Sequence, residues 1–337
     1  MAVPTLEVGH CMKRIVPEDL GNGLFTQLSP PKQEIVTVTK KLGPLPRKLE
    51  RIIQVASDME NDPTGQSDVS YMHSVLTQVS LPRRRVIGET FERRSGSASV
   101  LLQAGKLWNG KNFEDQVLPY GPMPRLIIAW MSTFAIRNRT REIPVGNSAT
   151  EFLEILGYSV SGGKRGTFTT FRGQTKALAA VRMTLGMGTS TFNGGMVEQF
   201  DAWLSEGDKP SLWPGRLLLS DNFYGSLIER AVPLNNQVLG ALKGSSLALD
   251  IYAWLAHRLH RVHNRNGDEI SWTRIKEQFG HEYSDTAQGR KNFRKEFEAA
   301  LADVLRLYPA AKIEPCIRGG ENVGKILRLS PPPVAKN

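Results

Sequence analysis

Residues 161–181 read SGGKRGTFTTFRGQTKALAAV. Because a helical residue turns about 100°, Arg165, Thr169, Arg172 and Lys176 fall along one stripe, with Lys164 at its head. Phe168, Phe171, Thr175 and Leu178 lie toward another side, which predicts a helix with an apolar flank for a core and a cationic, hydroxyl-bearing stripe left for a partner. Phosphates and base edges suit that stripe. Arg and Lys neutralise phosphate or contact guanine, and Thr donates to phosphate oxygens or touches a thymine methyl. Taken alone, such a stripe more often marks the solvated face of an ordinary surface helix, so its setting in the chain has to decide.

Upstream, an apolar helix is predicted over 124–137, with Pro in its opening turn where a missing N–H costs nothing. The extended piece REIPV (141–145) follows. SATE at 148–151 is then a capping box predicted to start a short helix that Gly157 ends. With the quoted stretch as the next helix, this makes a helix-turn-helix unit whose second helix is basic.

The arrangement recurs. LALDIYAWLAHRLHRV at 247–262 places Leu249, Tyr252, Leu255, Leu259 and Val262 on one helical face, and the extended DEI at 268–270 echoes REI. SWTRIKEQFG at 271–280 makes a short helix stopped by Gly280. RKNFRKEFEAALADVLRLYP at 290–309 makes the long one, with Phe293, Phe297, Leu301, Val304 and Tyr308 as its core stripe and Arg290, Lys291, Arg294 and Lys295 in its first turns. AKIEPCIRG (311–319) and GKILRLS (324–330) read as two strands joined by a Gly-containing turn, the hairpin that a winged helix sets beside its recognition helix. In the first copy the corresponding wing is expected to begin near VRMTLGMG at 181–188, with an insertion carrying FDAWLSEGDKPSLWPG at 200–215.

Composition bounds these readings. The chain has 337 residues, 40% of them hydrophobic, enough for two or three domains and a substantial core. A net charge of +10 and an isoelectric point near 9.6 make an acidic polymer a plausible partner. A membrane surface fits less well: the longest apolar run, LIIAWMSTFAI at 126–136, is too short to span a bilayer, and the N-terminus shows no apolar signal-peptide core. Cys11 and Cys316 lie far apart without metal-ligand neighbours, which suits a reduced cytoplasm and points to no zinc site.

The order along the chain is therefore expected to be a largely disordered tail over 1–68 with one helix near 49–59, a first domain over 69–234, a second over 235–332 and a short C-terminal tail at 333–337. The arginine cluster at 83–85, with Arg93 and Arg94, is read either as phosphate contacts or as a solvated loop. No catalytic group is assigned. SGGKRGT lacks the spacing of a phosphate-binding loop, and His257, His260 and His263, at helical steps of three, spread over about 120° and close poorly around one metal ion. Asp268 and Glu269 read as ordinary surface charge at a turn. No cofactor and no metal is expected.

At these blocks the sequence resembles the plasmid replication initiators of the RepA C-terminal family. The resemblance lies in LPYGPMPRLIIAW (118–130) followed by REI, SGGKRGTFTTFR (161–172), SSLALDIYAWLAHRLHR (245–261) followed by ISW, and FRKEFEAALADVLRLYP (293–309) before a terminal SPPPV. It covers about positions 70–335, with departures in the Gly-rich GMGTSTFNGG at 186–195 and in the long N-terminal tail. It implies an α+β protein with tandem winged-helix domains. Such a protein binds double-stranded DNA at the direct repeats of a plasmid origin, opens an adjacent AT-rich stretch, works with the host replication initiator and replicative helicase, and represses its own gene. The alternatives are a sequence-specific repressor without initiator activity and a protein-binding module. Each second helix is expected to lie in a major groove, the two modules reaching grooves about one turn apart. The amphipathic face of the first module and the tail are each candidates for a homodimer contact.

Overall fold

The computed structural model describes residues 45–61, 69–158, 166–200, 205–206, 209–210 and 216–334, with backbone alone at 146–149, 205–206 and 209–210. Residues Leu45–Asn337 form one compact unit. The elements of that unit run α1 (Arg47–Asn61), β1 (Val69–His73), α2 (Ser74–Gln78), β2 (Thr90–Ser95), β3 (Ala98–Gln103), β4 (Lys106–Trp108), β5 (Phe113–Asp115), α3 (Pro122–Asn138), β6 (Glu142–Pro144), α4 (Gly146–Ile155), α5 (Thr167–Ala180), β7 (Arg182–Met187), β8 (Ser190–Gly195) and β9 (Val197–Phe200). They continue through β10 (Ser205–Glu206), β11 (Lys209–Pro210), β12 (Arg216–Leu219), α6 (Asp221–Arg230), β13 (Ala231–Asn235), α7 (Asn236–Leu242), α8 (Ser246–Arg258), β14 (Asp268–Ser271), α9 (Trp272–Phe279), α10 (Ala287–Leu307), β15 (Ile313–Arg318) and β16 (Glu321–Leu327).

α3 and α8 are apolar on nearly every side, as LIIAW and LALDIYAWL foretell, and a helix apolar all round has to be enclosed. Both are enclosed here. α3 is covered by β1 and α5, α8 by α2, α10 and β13, and the two helices touch each other. β1 pairs antiparallel with β13, Val69 opposite Asn235, so the strand before α2 lies beside the strand before α7.

Two segments share one order of elements. With β7 and β8 set aside between α5 and β9, and β10 and β11 between β9 and β12, α3, β6, α4, α5, β9 and β12 run helix, strand, helix, helix, strand, strand, and their antiparallel sheet has the order β6-β12-β9. α8, β14, α9, α10, β15 and β16 repeat the series with sheet order β14-β16-β15. In the second segment Ser271 caps α9, Thr286 caps α10, and the positive-φ pair Gly319 and Gly320 turns β15 into β16.

Several expectations change. VRMTLGMG does not form the first wing: β7 pairs with β3 and β8 in a four-stranded sheet ordered β2-β3-β7-β8, and the strands that meet β6 through β12 are β9 and β12 themselves. The preference arises far upstream, where β2 and β3 supply a ready edge, and Gly186 lets β7 pass against Ser99 where a side chain would collide. Most of 200–215 lies outside the described residues. SATE does not open α4; the helix begins at Gly146 after the buried Val145, without a side-chain cap. Its far end is held from α7 by Lys243, whose ammonium donates to the carbonyls of Leu156 and Gly157 beyond the Tyr158 ring. α8 stops at Arg258, so His257 and His260 do not share one regular helix.

The helix expected near 49–59 is present as α1, but it is packed rather than free within the segment read as a tail. Ile52 is fully buried, and α1 lies against α7 and α10 with Lys48 Nζ 2.5 Å from Asp303. Residues 1–44 and 62–68 of that segment lie outside the described residues.

Candidate nucleic-acid interface

In the second segment the sequence-predicted cations come together. A turn between α9 and α10 must be tight at Gly280, because a Cβ there would crowd Lys276 and Phe293, and at Gly289, where one would collide with the Ser284 carbonyl. This turn brings the start of α10 against α9 around a cavity of about 840 Å³, whose lining includes Trp272, Thr273, Lys276, Arg290, Lys291 and Arg294. Lys295 does not line it, and lies exposed one step further along α10.

The cations there differ in their partners. Arg290 donates to the Asp285 carbonyl, which folds it back along the turn. Arg294 lies over the Trp272 ring, 4.8 Å from its centroid, with the Lys325 ammonium 5.6 Å from the same ring. Lys276 pairs with Asp285 at 2.5 Å. Lys291 projects into solvent. Trp272 and Lys276 went unnoticed in the sequence. SWTRIK carries a cation at the right helical step for Lys276, but nothing local marks Trp272 as a platform for two cations.

The first segment is more enclosed than its sequence suggests. Lys164 and Arg165 lie outside the described residues. Phe171 is fully buried against Trp130, and the Thr175 hydroxyl turns back to the Phe171 carbonyl, so the apolar flank is where the pattern puts it. Thr169 is exposed and Arg172 half-buried. Lys176 is not open to a partner along its length: it pairs at 3.5 Å with Glu114 on β5. Burial holds the Arg172 guanidinium below its usual range, and Glu114 opposes that shift; the Asn109 amide and Lys176 in turn hold the Glu114 carboxyl below the ordinary carboxylate value. The β4–β5 hairpin thus lies against the C-terminal part of the basic stripe.

Arg83 and Arg93 belong to neither reading made from the sequence. Arg83 donates to both Glu282, at 2.8 Å, and Glu296, and lies over the Tyr283 ring. Arg93 is buried, donates to Ser80 at 2.6 Å and approaches Glu282 at 3.7 Å. Burial lowers the Arg93 pKa to about 10, which leaves it charged. Both side chains grip the α9–α10 turn from β2 and the segment before it. Arg84 and Arg85 are exposed, and Arg94 pairs with Glu92 at 2.9 Å on the surface.

Among the described residues no group of His, Cys, Asp and Glu is arranged to hold a metal ion, and no helix is long and apolar enough to cross a membrane. His260 contacts the Ala256 carbonyl at 3.0 Å, and burial beside Arg261 pushes His257 down to about 3.

Residues 118–274 match the family described as "Plasmid encoded RepA protein". The match takes in the first helix-strand-helix-helix series and runs through α8 and β14 to the start of α9, so it includes α5 but not α10. Over those residues, just under half of the chain, the sequence is similar to plasmid RepA proteins. No curated protein matches the chain.

Proposed function

We propose that this chain, a member of the plasmid RepA C-terminal family over residues 118–274, is a plasmid replication initiator that acts by binding and distorting DNA, without catalysis. The observation that carries the reading is the repeated series with its repeated strand order, β6-β12-β9 and β14-β16-β15, each with a basic second helix. Each series reads as a winged helix, with α5 and α10 as the helices laid in successive major grooves of origin direct repeats and β9–β12 and β15–β16 as wings. Thr169, Arg172 and the residues before α5 would read bases in the first module. Arg290 and Arg294 would serve the second, with Lys291 and Lys295 on phosphate.

Distortion of the bound repeats would then open an adjacent AT-rich segment for the host initiator and replicative helicase, and binding near its own promoter would repress the gene. The test is footprinting of the purified protein across DNA flanking its gene, followed by permanganate probing of the AT-rich segment on supercoiled DNA with the host initiator supplied. Protection of direct repeats with permanganate reactivity beside them is expected. Protection without opening, and without maintenance of a replication-deficient plasmid carrying the fragment, would leave a repressor.

A further inference from the structure

The β4–β5 hairpin ends in two aromatic rings that stand largely exposed among the described residues. Trp108 and Phe113 stand opposite each other in register, their centroids 5.1 Å apart, and are 52% and 68% exposed. A two-stranded hairpin is marginal alone, yet this one is well tied. Asn109 accepts from the amides of Lys111 and Asn112 and donates to Glu114, and Lys106 pairs with Asp115 at 2.8 Å. Its base is locked to the end of α5, because Gly105 lies so close to the Ala180 carbonyl that no side chain would fit, and its flank is tied to α5 through Glu114 and Lys176.

Such a hairpin holds its rings at a fixed place beside α5, and the surroundings say what they face. The hairpin carries Lys106 and Lys111, its Glu114 and Asp115 being matched by Lys176 and Lys106, while Arg84, Arg85 and the fully exposed Ile87 lie on the loop before β2, which borders the cavity at the hairpin's base. Exposed rings set among cations form the combination that binds unpaired nucleic acid: cations track the phosphates, and the faces of bases stack on the rings whatever their sequence.

We infer that Trp108 and Phe113 form a base-stacking surface for unpaired bases in the DNA beside the duplex held by α5. This rests on the DNA-binding reading of α5, and it adds a single-strand site to it. Stacking of this kind keeps a melted strand from re-pairing, which gives the hairpin a part in holding origin DNA open.

The experiment measures binding of the full chain to two fluorescein-labelled probes by anisotropy, a duplex carrying the protected repeats and a thymine-rich single strand. The double variant W108A/F113A is expected to lose single-strand affinity by roughly ten- to a hundred-fold, the loss of one or two stacked bases, with duplex affinity unchanged. W108F/F113Y, which keeps the rings, should restore it; W108L/F113L, which keeps only apolar bulk, should not. Equal single-strand affinity in parent and alanine variant overturns the inference, as does full rescue by leucine, which would mean that apolar bulk and not base stacking holds the strand. A parent that binds the duplex alone overturns the hairpin site and leaves the proposed function standing. A parent that binds the single strand alone overturns the proposed function and with it the placement of the hairpin beside a held duplex, and one that binds neither probe overturns both.

Discussion

Arg125 on α3 and Asp250 on α8 form a buried, two-pronged ion pair, Nε to Oδ1 at 2.6 Å and one Nη to Oδ2 at 2.7 Å. The remaining guanidinium hydrogens go to the carbonyls of Leu81, Pro82 and Gly121, so the buried cation is fully satisfied. The pair joins the first helices of the two repeated series. It also pins the segment before β2, from which Arg83 reaches the α9–α10 turn.

Arg125→Ala should therefore destabilise the unit by about 3–5 kcal/mol, since it strands Asp250 without a counter-charge. Chemical unfolding of the purified variant measures this. Removing both charges as Arg125→Met with Asp250→Leu should recover most of the loss, because the two carry their cost together. A recovery of less than half would show that the carbonyls of Leu81, Pro82 and Gly121 need the guanidinium more than Asp250 does.

Stability should fall as the pH drops from about 6.5 toward 4. His73 is buried, its Nδ1 accepts from the Val75 amide at 3.2 Å and its Nε2 faces the Ser226 hydroxyl, which holds the ring neutral. Burial, with Arg230 adding to it, pushes its pKa from 6.5 to about 4. Folding thus favours the unprotonated ring: the contribution is complete above the unfolded value and is lost as pH falls through the folded one, roughly 3 kcal/mol over that interval. His257 adds a slope of the same sign. Asn at position 73 keeps a cap for α2 without titrating there, so His73→Asn should flatten the dependence of the unfolding midpoint between pH 6.5 and 4; an unchanged slope would assign it to other groups.

On α5, Arg165→Ala with Arg172→Ala should weaken binding to the cognate repeat while leaving the circular dichroism and melting midpoint near those of the parent. A base-reading arginine is worth roughly 1–3 kcal/mol of discrimination against the wrong base pair. A footprint equal to the parent's at matched salt would mean that α5 does not read the repeat and that Arg172 serves only the hairpin at Glu114.

On α10, Lys291→Ala with Lys295→Ala should lower affinity for all sequences alike and flatten the plot of log affinity against log salt by about one unit for each phosphate no longer neutralised. An unaltered slope would leave both as solvated charges.

The second repeated series was legible almost whole in the sequence. Phe293, Phe297, Leu301, Val304 and Tyr308 recur at helical steps and all are buried; Ser271 and Gly280 bracket α9; the glycines after Arg318 turn the last hairpin. Each of these signals acts within a turn or two of helix or across one tight turn, so local order along the chain carries it. The positions of α3, β6, α5 and α8 followed for the same reason.

Tertiary structure alone decided which partners those elements meet. β7 has the alternation of a wing strand, but its fate depends on β3, about eighty residues earlier, and a period-2 pattern does not name the edge it will join. The sequence shows that Arg83, Arg93, Arg172 and Lys176 are cations without showing what faces them. Packing sets the first two on Glu282 and brings Glu114 to the last two, while Lys291 is left in solvent. Charge is a property of one residue and can be read from its letter; whether that charge is spent on a carboxylate or kept for a phosphate depends on residues that only folding brings within reach.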